Sequence, residues 1–250
     1  MMAHLPWVKA PTLWIRMGIL KSAFSSPANI STDIAALKIF IHCCIRAERL
    51  KRKTINGPSS EEEVLLSSAT YEEISEQCRL SRTLVSRGLA KLRRMNLISK
   101  EGSTRKVVHV MRGLELGWCK LPCKDLISVN NQVKPFISIS NRYAVERDAL
   151  KIYLYLLSIR SNSSTSTAVS KETISQKVGV AIHDIAVAIS FLKQIYLLEY
   201  SEDEGFLLKA KQPFTEESRI TKYVVIGAKY LNRSIHYRES VDYEGPFKSI

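Results

Sequence analysis

The sequence predicts an α+β fold that is mainly helical, carries small β-hairpins and consists of two similar units in tandem. The first observation is a repeat: "ALKIFI", residues 36–41, recurs as "ALKIYL", residues 149–154, and residues 70–98 align without a gap on residues 170–198. The second is that each unit combines apolar residues at helical spacing with a later alternating segment around a turn. With 250 residues, the chain is long enough for two domains of about 100 to 150 residues each. Self-similarity of this kind indicates two copies of one structural unit.

Three helices are predicted in the first unit. The first, "DIAALKIFIHCCIRAERL", carries apolar residues three or four positions apart, which is the spacing of a core-facing stripe. Thr70 and Glu73 form the S/T-x-x-E pattern of a capping box, so a second helix begins there. Ser81 caps the third helix, because its hydroxyl can accept a bond from a free backbone N–H group of the first turn. The apolar residues that this third helix is expected to bury are Val85, Leu89 and Leu92.

A β-hairpin is predicted after the third helix. Asn96 ends that helix, because Asn tolerates the left-handed conformation of a helix stop. "LISKE" and "RKVVHV" then alternate on either side of Gly102 and Ser103, and "EVLLSS" before the second helix adds a short strand. Three helices followed by such a hairpin are a winged helix. The expected boundaries are an N-terminal arm at 1–30, a first winged-helix domain at 31–115, a linker at 116–145, and a second winged-helix domain with a C-terminal extension at 146–250.

The segment "LSRTLVSRGLAKLRRMNLI", residues 80–98, resembles the recognition-helix segment of bacterial winged helix-turn-helix proteins. Those proteins typically carry S-R-x-T-V-S-R-x-L-x-x-L-x-x-x-G-L-I. Leu84 stands here where a Thr is common, and Asn96 replaces the usual Gly. The resemblance covers residues 70–112. The presence of two such units in one chain is similar to plasmid replication initiators of the Rep type, in which tandem winged helices bind repeated origin sequences.

The charge of the chain favours a polyanionic partner. Thirty-seven Lys and Arg residues against twenty-four Asp and Glu residues leave a net charge of +13. Such an excess suits nucleic acid or an anionic membrane surface, and nucleic acid is preferred because the third helix has five bases and no acid. The alternative is a charged helix face that only contacts water.

A helix in the major groove of DNA presents its N-terminal residues to the base edges, while later residues and the wing contact phosphates. Arginine can donate two parallel hydrogen bonds to guanine, and Ser or Thr can contact bases or phosphates. The expected DNA-binding residues on the helix are Ser81, Arg82, Thr83, Ser86, Arg87, Lys91 and Arg94. On the wing they are Lys100, Arg105 and Lys106, with His109 beside them.

The second unit differs in charge from the first. Residues 70–112 hold ten bases and four acids, or +6, whereas residues 170–212 hold five bases and six acids, or −1. Three roles for this unit stay open: a subunit or protein contact, a weaker DNA contact through Lys171, Lys177 and Lys193, or a scaffold. The contact surface would be the helix "AIHDIAVAIS", in which Ile182, Ile185, Val187 and Ile189 leave little polar surface.

Two further basic segments have open interpretations. "RLKRKT", residues 49–54, is either the polar end of the first helix or a phosphate contact. The N-terminal arm holds Trp7 and Trp14 and no acid, and is either an interface strand, a DNA-tracking arm or a source of aromatic core residues. Because the first unit carries the charge, residues 1–115 alone are expected to keep specific but weakened DNA binding, and residues 125–250 alone are expected to show little.

Several classes of protein are disfavoured by the sequence. The longest apolar run, "IYLYLLSI" at 152–159, is shorter than a membrane span, and Pro6, Lys9 and Pro11 interrupt any signal-like segment. A cytoplasmic protein, associated with a nucleoid or plasmid, is expected. The five cysteines are predicted to be buried thiols rather than metal ligands. No catalytic motif is recognisable, so neither an enzyme nor a cofactor is expected.

The function expected from these patterns is sequence-specific binding of double-stranded DNA by a replication initiator, or a related factor, of a plasmid or mobile element. A transcription regulator is the alternative. An alternative of another class is a structural adaptor whose winged helices bind protein, as in the double winged-helix subunits of chromosome-organising complexes. Double-stranded DNA is the expected partner, together with a second copy of the chain bound through the second winged helix or the N-terminal arm.

Overall fold

A computed structural model describes residues 5–53, 61–102, 107–128, 130–205 and 219–231 of the protein. These residues form a mixed α+β fold with small antiparallel sheets, which confirms the predicted fold class at this level. Arg105 and Lys106 of the predicted wing lie outside the described residues.

The first unit follows the predicted order of elements, with one additional strand. Its elements are α3 (Ile30–Arg46), β2 (Glu48–Lys53), β3 (Glu61–Ser67), α4 (Tyr71–Cys78), α5 (Arg82–Arg94), β4 (Ser99–Gly102) and β5 (Val107–Met111). The strands form one antiparallel sheet in the order β2–β3–β5–β4. Thr70 and Glu73 form the predicted capping box at the start of α4, and the Ser81 hydroxyl accepts a hydrogen bond from the Leu84 N–H group at the start of α5.

The second unit repeats this order. Its elements are α7 (Ala144–Ile159), β7 (Ser166–Ser170), α8 (Lys171–Val178), α9 (Ile182–Gln194), β8 (Leu198–Gly205) and β9 (Ile220–Val225). The strand order β7–β9–β8 matches β3–β5–β4 of the first unit. Even the helix stops correspond, because Asn96 and Tyr196 both adopt the left-handed conformation, with φ of 55° and 59°. Apart from β2, which has no counterpart among the described residues of the second unit, the two units share element order and sheet topology.

The N-terminal arm and the predicted linker are parts of the fold. The arm forms β1 (Trp7–Pro11), α1 (Leu13–Arg16) and α2 (Ile19–Ala23), and the linker forms β6 (Trp118–Pro122) and α6 (Lys134–Ile137). Strand β1 pairs with β6 in a two-stranded antiparallel sheet. Trp7, Trp14 and Phe136 are buried in a core that continues through both units. Residues 116–145 are thus not a free tether, because their apolar side chains complete this core.

Helix α3 of the first unit packs against α7 of the second, and each contributes a buried lysine. Lys38 and Lys151 occupy the same position of the "ALKI" repeat, and both are fully buried. The Lys38 Nζ donates a hydrogen bond to Asn141 Oδ1 at 2.9 Å, whereas the Lys151 Nζ has no acceptor within the described part of the chain. Burial lowers the pKa of each lysine to about 8.

Within the described residues, one helical segment, Pro27–Arg46, is long and apolar enough to cross a membrane, and 67% of its most apolar stretch is buried inside the protein. Helices α8 and α9 reach such a length and hydropathy only when they are taken together as one bent pair, with an angle of 96° between them. The segment Pro27–Arg46 contains α3, so burial in the core accounts for its hydropathy. All five cysteines are free and buried, and burial raises their pKa values.

Candidate nucleic-acid interface

Helix α5 has one apolar face against the core and one exposed polar face. The buried side is formed by Val85, Gly88, Leu89 and Leu92. At Gly88, a Cβ atom would lie 2.7 Å from Ile39 Cδ1 and 3.1 Å from the Ala35 carbonyl carbon, so α5 and α3 approach at backbone distance. The exposed predicted residues are Ser81, Arg82, Thr83, Ser86, Arg87 and Arg94. They lie together on a helix that is held closely against the core.

The exposed arginines of α5 are in different electrostatic situations. Arg82 forms an ion pair with Glu72 of α4, and both side chains are largely exposed. Arg87 and Arg94 have no ion pair among the residues that the structure describes. Arg93 is half-buried and its Nε donates to the Leu89 carbonyl at 3.3 Å, along its own helix. Arg87 is therefore the guanidinium nearest the helix start that is available to an external acceptor.

Lys91 does not belong to this exposed face, although the sequence places it there. Its Nζ lies 2.6 Å from Asp33 Oδ1 and 2.5 Å from the Ala23 carbonyl oxygen, and 4.4 Å from the centroid of the Phe24 ring. Only 15% of the side chain is exposed. Asp33 is fully buried on α3, and a buried carboxylate needs a counter-charge. The Lys91 ammonium group serves that internal role.

Two predicted residues of the hairpin after α5, Lys100 and His109, lie in the described part of the chain. Lys100 on β4 is exposed, as predicted. His109, its cross-strand neighbour on β5, is buried, and burial lowers its pKa to about 4, so the ring is neutral at pH 7. Arg112 is paired with Glu62 and Glu101, at 2.5 and 3.2 Å. Among the described residues of β4 and β5, Lys100 is thus the exposed cation that could contact DNA.

The basic run after the first helix forms strand β2 rather than a helix end. In the register of the hairpin, Lys51, Arg52 and Lys53 lie opposite Glu63, Glu62 and Glu61 of β3. Glu63 also accepts from Arg49 at 2.7 Å and from Lys9 at 2.9 Å. Opposite charges on neighbouring strands attract each other. Arg49 of this run is therefore paired within the protein.

The corresponding face of α9 in the second unit has no arginine and exposes apolar residues at several positions where α5 has arginine or serine. Ala181, Ile182, His183 and Asp184 are exposed at its start, and His183 Nε2 lies 3.6 Å from Asp184 Oδ2. Val187, 57% exposed, follows one turn later, and Tyr196, 73% exposed, comes after the helix end. The predicted exposure of Ile185 and Ile189 is wrong, because both are buried against the core. Of the lysines considered for DNA contact, Lys177 and Lys193 are exposed and Lys171 is half-buried.

A cleft beside the N-terminal arm was not suggested by any sequence pattern. Its volume is about 580 Å³, and its charged lining combines three cations with two acids. The lining residues are Lys9, Arg16, Lys51, Glu63, Leu114, Glu115, Gly117 and Trp118. They come from five separate stretches of the chain, so no local spacing could have indicated them. Lys9 lies over the Trp118 ring at 4.7 Å and bonds Glu63, so internal contacts occupy part of this lining.

No group of three or more His, Cys, Asp or Glu residues in the described ranges is arranged to hold a metal ion. No protein-family model, curated protein sequence or solved structure matches the chain.

Proposed function

We propose that the protein binds double-stranded DNA sequence-specifically through the first of two tandem winged helices and that it is not an enzyme. One observation carries the proposal: the exposed face of α5 combines hydroxyl and guanidinium groups, and the sequence of this helix contains no acid. The groups concerned are Ser81, Thr83, Ser86, Arg82, Arg87 and Arg94. Guanidinium groups are the side chains that most often donate paired bonds to guanine, and hydroxyl groups contact bases or phosphates.

The geometry of the first unit supports major-groove binding. Helices α4 and α5 follow each other through a three-residue turn, and the hairpin β4–β5 comes directly after α5. In helix-turn-helix proteins the second helix enters the major groove, which is about 12 Å wide and accepts one helix. Ser81, Arg82 and Thr83 lie at the N-terminal end of α5, where base edges would be nearest. Lys100 on the wing is placed for phosphate contact.

Comparison of the two units argues against the alternative that the charged face of α5 contacts only water. Apart from β2, the second unit has the same elements in the same order, yet α9 exposes Ile182 and Val187 at the positions of Arg82 and Arg87. The fold by itself therefore does not require five bases on the third helix. Because the electrostatic attraction of phosphates supplies much of the affinity for DNA, the basic unit is the one expected to bind it.

A second role is favoured for α9 by its exposed apolar residues. Ile182, Val187 and Tyr196 are large apolar or aromatic side chains outside the core. Such residues are typical of protein contacts, and Asp184 would repel phosphate. We propose that this face binds protein, either a second copy of the chain or another protein of the same assembly. This face is preferred over the N-terminal arm, because β1 of the arm is paired with β6 and Trp7 is buried.

The proposed biological setting is replication initiation or a related process of a plasmid or mobile element, in the cytoplasm, with transcription regulation as the alternative. It rests on the resemblance of residues 70–112 to bacterial winged helix-turn-helix proteins and of the tandem units to Rep-type initiators. A purely structural adaptor, the alternative of another class, is disfavoured by the charge of α5.

Selection of bound sequences from a random pool of DNA duplexes tests the proposal. Enrichment of directly repeated sites is expected for an initiator, and a single palindrome is expected for a repressor. No enrichment would contradict sequence-specific binding and favour the adaptor. Arg87→Ala and Lys193→Ala form a matched pair of variants for the same selection, since each removes one exposed cation from the third helix of its unit. Only Arg87→Ala is expected to weaken enrichment.

A further inference from the structure

Three cations and two carboxylates lie where α5, α3 and α7 meet, and all but Lys91, which is 15% exposed, are buried. Asp33 belongs to the first turn of α3 and is fully buried. Its Oδ1 bonds Lys91 of α5 at 2.6 Å. Its Oδ2 has no hydrogen-bond partner within the described residues, and Arg147 Nη1 of α7 lies 4.0 Å from this oxygen. One carboxylate of the first unit thus lies between a cation of the recognition helix and a cation of the second unit.

The Arg147 guanidinium group is itself fixed by several contacts. Its Nη1 donates to the Ser26 carbonyl oxygen at 3.1 Å, and its Nε donates to Asp148 Oδ1 at 3.0 Å. Lys151 Nζ lies 4.0 Å from the same Asp148 oxygen. The ionic chain Lys91–Asp33–Arg147–Asp148 therefore links the C-terminal half of α5 to the first turns of α7.

Buried ion pairs contribute little net stability compared with well-packed apolar residues, because desolvation of the charges offsets their attraction. Removal of one partner is costly, since the other charge then lies buried without compensation. An ionic contact is also more restrictive in geometry than an apolar one. A chain of buried charges is thus better suited to fixing one orientation of a helix than to adding stability.

The orientation of α5 matters at the position of this chain. Lys91 lies one helical turn after Arg87. The Arg87 guanidinium group is exposed and forms no ion pair with any residue that the structure describes. Gly88, between them, contacts α3 at backbone distance, so a rotation of α5 about its axis would force atoms together on that side. Base recognition requires side chains held within about 0.5 Å and 10 to 20° of the productive geometry.

We infer that Asp33 and Arg147 are positioning residues for DNA recognition, which hold α5 in its recognition pose through Lys91 and thereby make the second unit a determinant of sequence specificity that need not touch DNA. The inference rests on the proposed function of α5. If the inference is right, the second unit contributes to DNA recognition through Arg147, without a DNA contact by α9.

The test uses the full chain with Asp33→Asn and Arg147→Met, measured on the selected duplex and on a scrambled duplex at several salt concentrations. Each variant is expected to reduce the ratio of the two affinities about tenfold, the size expected for loss of one bidentate base contact. The dependence of affinity on salt should stay unchanged, because no phosphate contact is removed. A purely structural residue would change the folded fraction and leave this ratio unaltered.

The control is Val225→Ala, which removes buried apolar volume from the β7–β9–β8 sheet without touching the ionic chain. All affinities are measured at a temperature where circular dichroism shows the variant to be folded. If Asp33→Asn or Arg147→Met does not fold, Arg147→Lys tests the inference instead. This variant keeps the positive charge but loses the planar guanidinium group that can donate several hydrogen bonds at once. A reduced ratio in that variant supports the inference, and an unchanged ratio overturns it.

The two proposals fail in different ways. If the unmodified chain shows no preference between selected and scrambled duplexes, the proposed function is wrong, and this inference is wrong with it. If the unmodified chain is specific while the folded variants at Asp33 and Arg147 keep its ratio, only the inference is wrong. A lower ratio in Val225→Ala equal to that of the two variants would also overturn it.

Discussion

The two units of this protein have one topology and two surface chemistries. Helices α5 and α9 occupy the same place in their units, with apolar core residues at the same spacing: Val85, Leu89 and Leu92 correspond to Ile185, Ile189 and Leu192. Their exposed sides differ, since α5 presents arginines and hydroxyl groups where α9 presents alanine, isoleucine and valine. The comparison teaches that the fold determines which positions are buried, while the residues at exposed positions can differ according to what each unit binds.

Even the helix starts reflect this divergence. The Ser81 side chain caps α5, whereas Ala181 at the same position of α9 makes no side-chain cap. Loss of a cap costs about 0.5 to 2 kcal/mol of stability in typical helices. The second unit tolerates that loss, because α9 packs closely against α7 and its buried face is strongly apolar.

The largest expected effect comes from separating the units. Residues 1–115 are expected to fail to fold alone, contrary to the sequence-based expectation that they bind DNA alone. Truncation removes β6, the partner of β1, and α7, which covers one side of α3. Thermal unfolding followed by circular dichroism should show no cooperative transition. A cooperative transition together with specific DNA binding by the fragment would show instead that the units are independent.

The next effect concerns base recognition by the first unit. Arg87→Ala is expected to cost about 1 to 3 kcal/mol on the selected duplex and little on a scrambled one, as for loss of a bidentate guanine contact. Titration of both duplexes measures this difference. Lys193→Ala in α9 is the control and should leave both affinities within experimental error. Equal losses on both duplexes for Arg87→Ala would show that Arg87 contacts phosphate rather than a base.

The buried lysines at the unit interface allow a comparison of equivalent positions. Lys151→Met is expected to raise the free energy of unfolding at pH 7 by about 1 to 3 kcal/mol, because it removes a buried charge that lacks a hydrogen-bond acceptor among the described residues. Lys38→Met should give a smaller gain, since it leaves Asn141 Oδ1 without its donor. Denaturant titrations of the two variants measure both values.

The pH dependence of that gain has a definite sign. The pKa of Lys151 is about 8 in the folded protein, below its ordinary value of 10.5. Between these values the unfolded chain binds more protons than the folded chain, so the lysine's contribution to stability rises with pH. The advantage of Lys151→Met should therefore be full below pH 8 and disappear by pH 10.5. A constant advantage across this window would mean that the gain arises from packing.

The smallest expected effect concerns the exposed pair Arg82 and Glu72. Glu72→Gln is expected to change stability by less than about 1 kcal/mol, because exposed ion pairs contribute little. It should nevertheless strengthen DNA binding slightly, since it frees Arg82 and removes a negative charge beside α5. Titration at low salt, where such effects are largest, measures the change. Weaker binding by this variant would indicate that Glu72 holds Arg82 in the pose used for recognition.

Much of the fold was determined by the sequence itself. The capping box at Thr70, the Ser81 cap, the left-handed stop at Asn96 and the hairpin after it all follow from interactions among neighbours along the chain. The repeat predicted the shared element order of the second unit. The repeat also indicates that Ile185 and Ile189 are buried, because they align with the core residues Val85 and Leu89. The high apolar content of α9 led to the wrong prediction that both are exposed.

Only the tertiary structure decided where the charges of the first unit go. Lys91 lies at the edge of the exposed face of α5, and its direction was settled by Asp33, 58 residues earlier in the chain. Arg49 of β2 was paired with Glu63 of β3, and His109 was buried on β5. Local patterns fix helices, caps and turns because the interacting groups are close in sequence. A charge at the border between core and solvent takes whichever partner the packed chain brings within reach, and that partner has no signature in the local sequence.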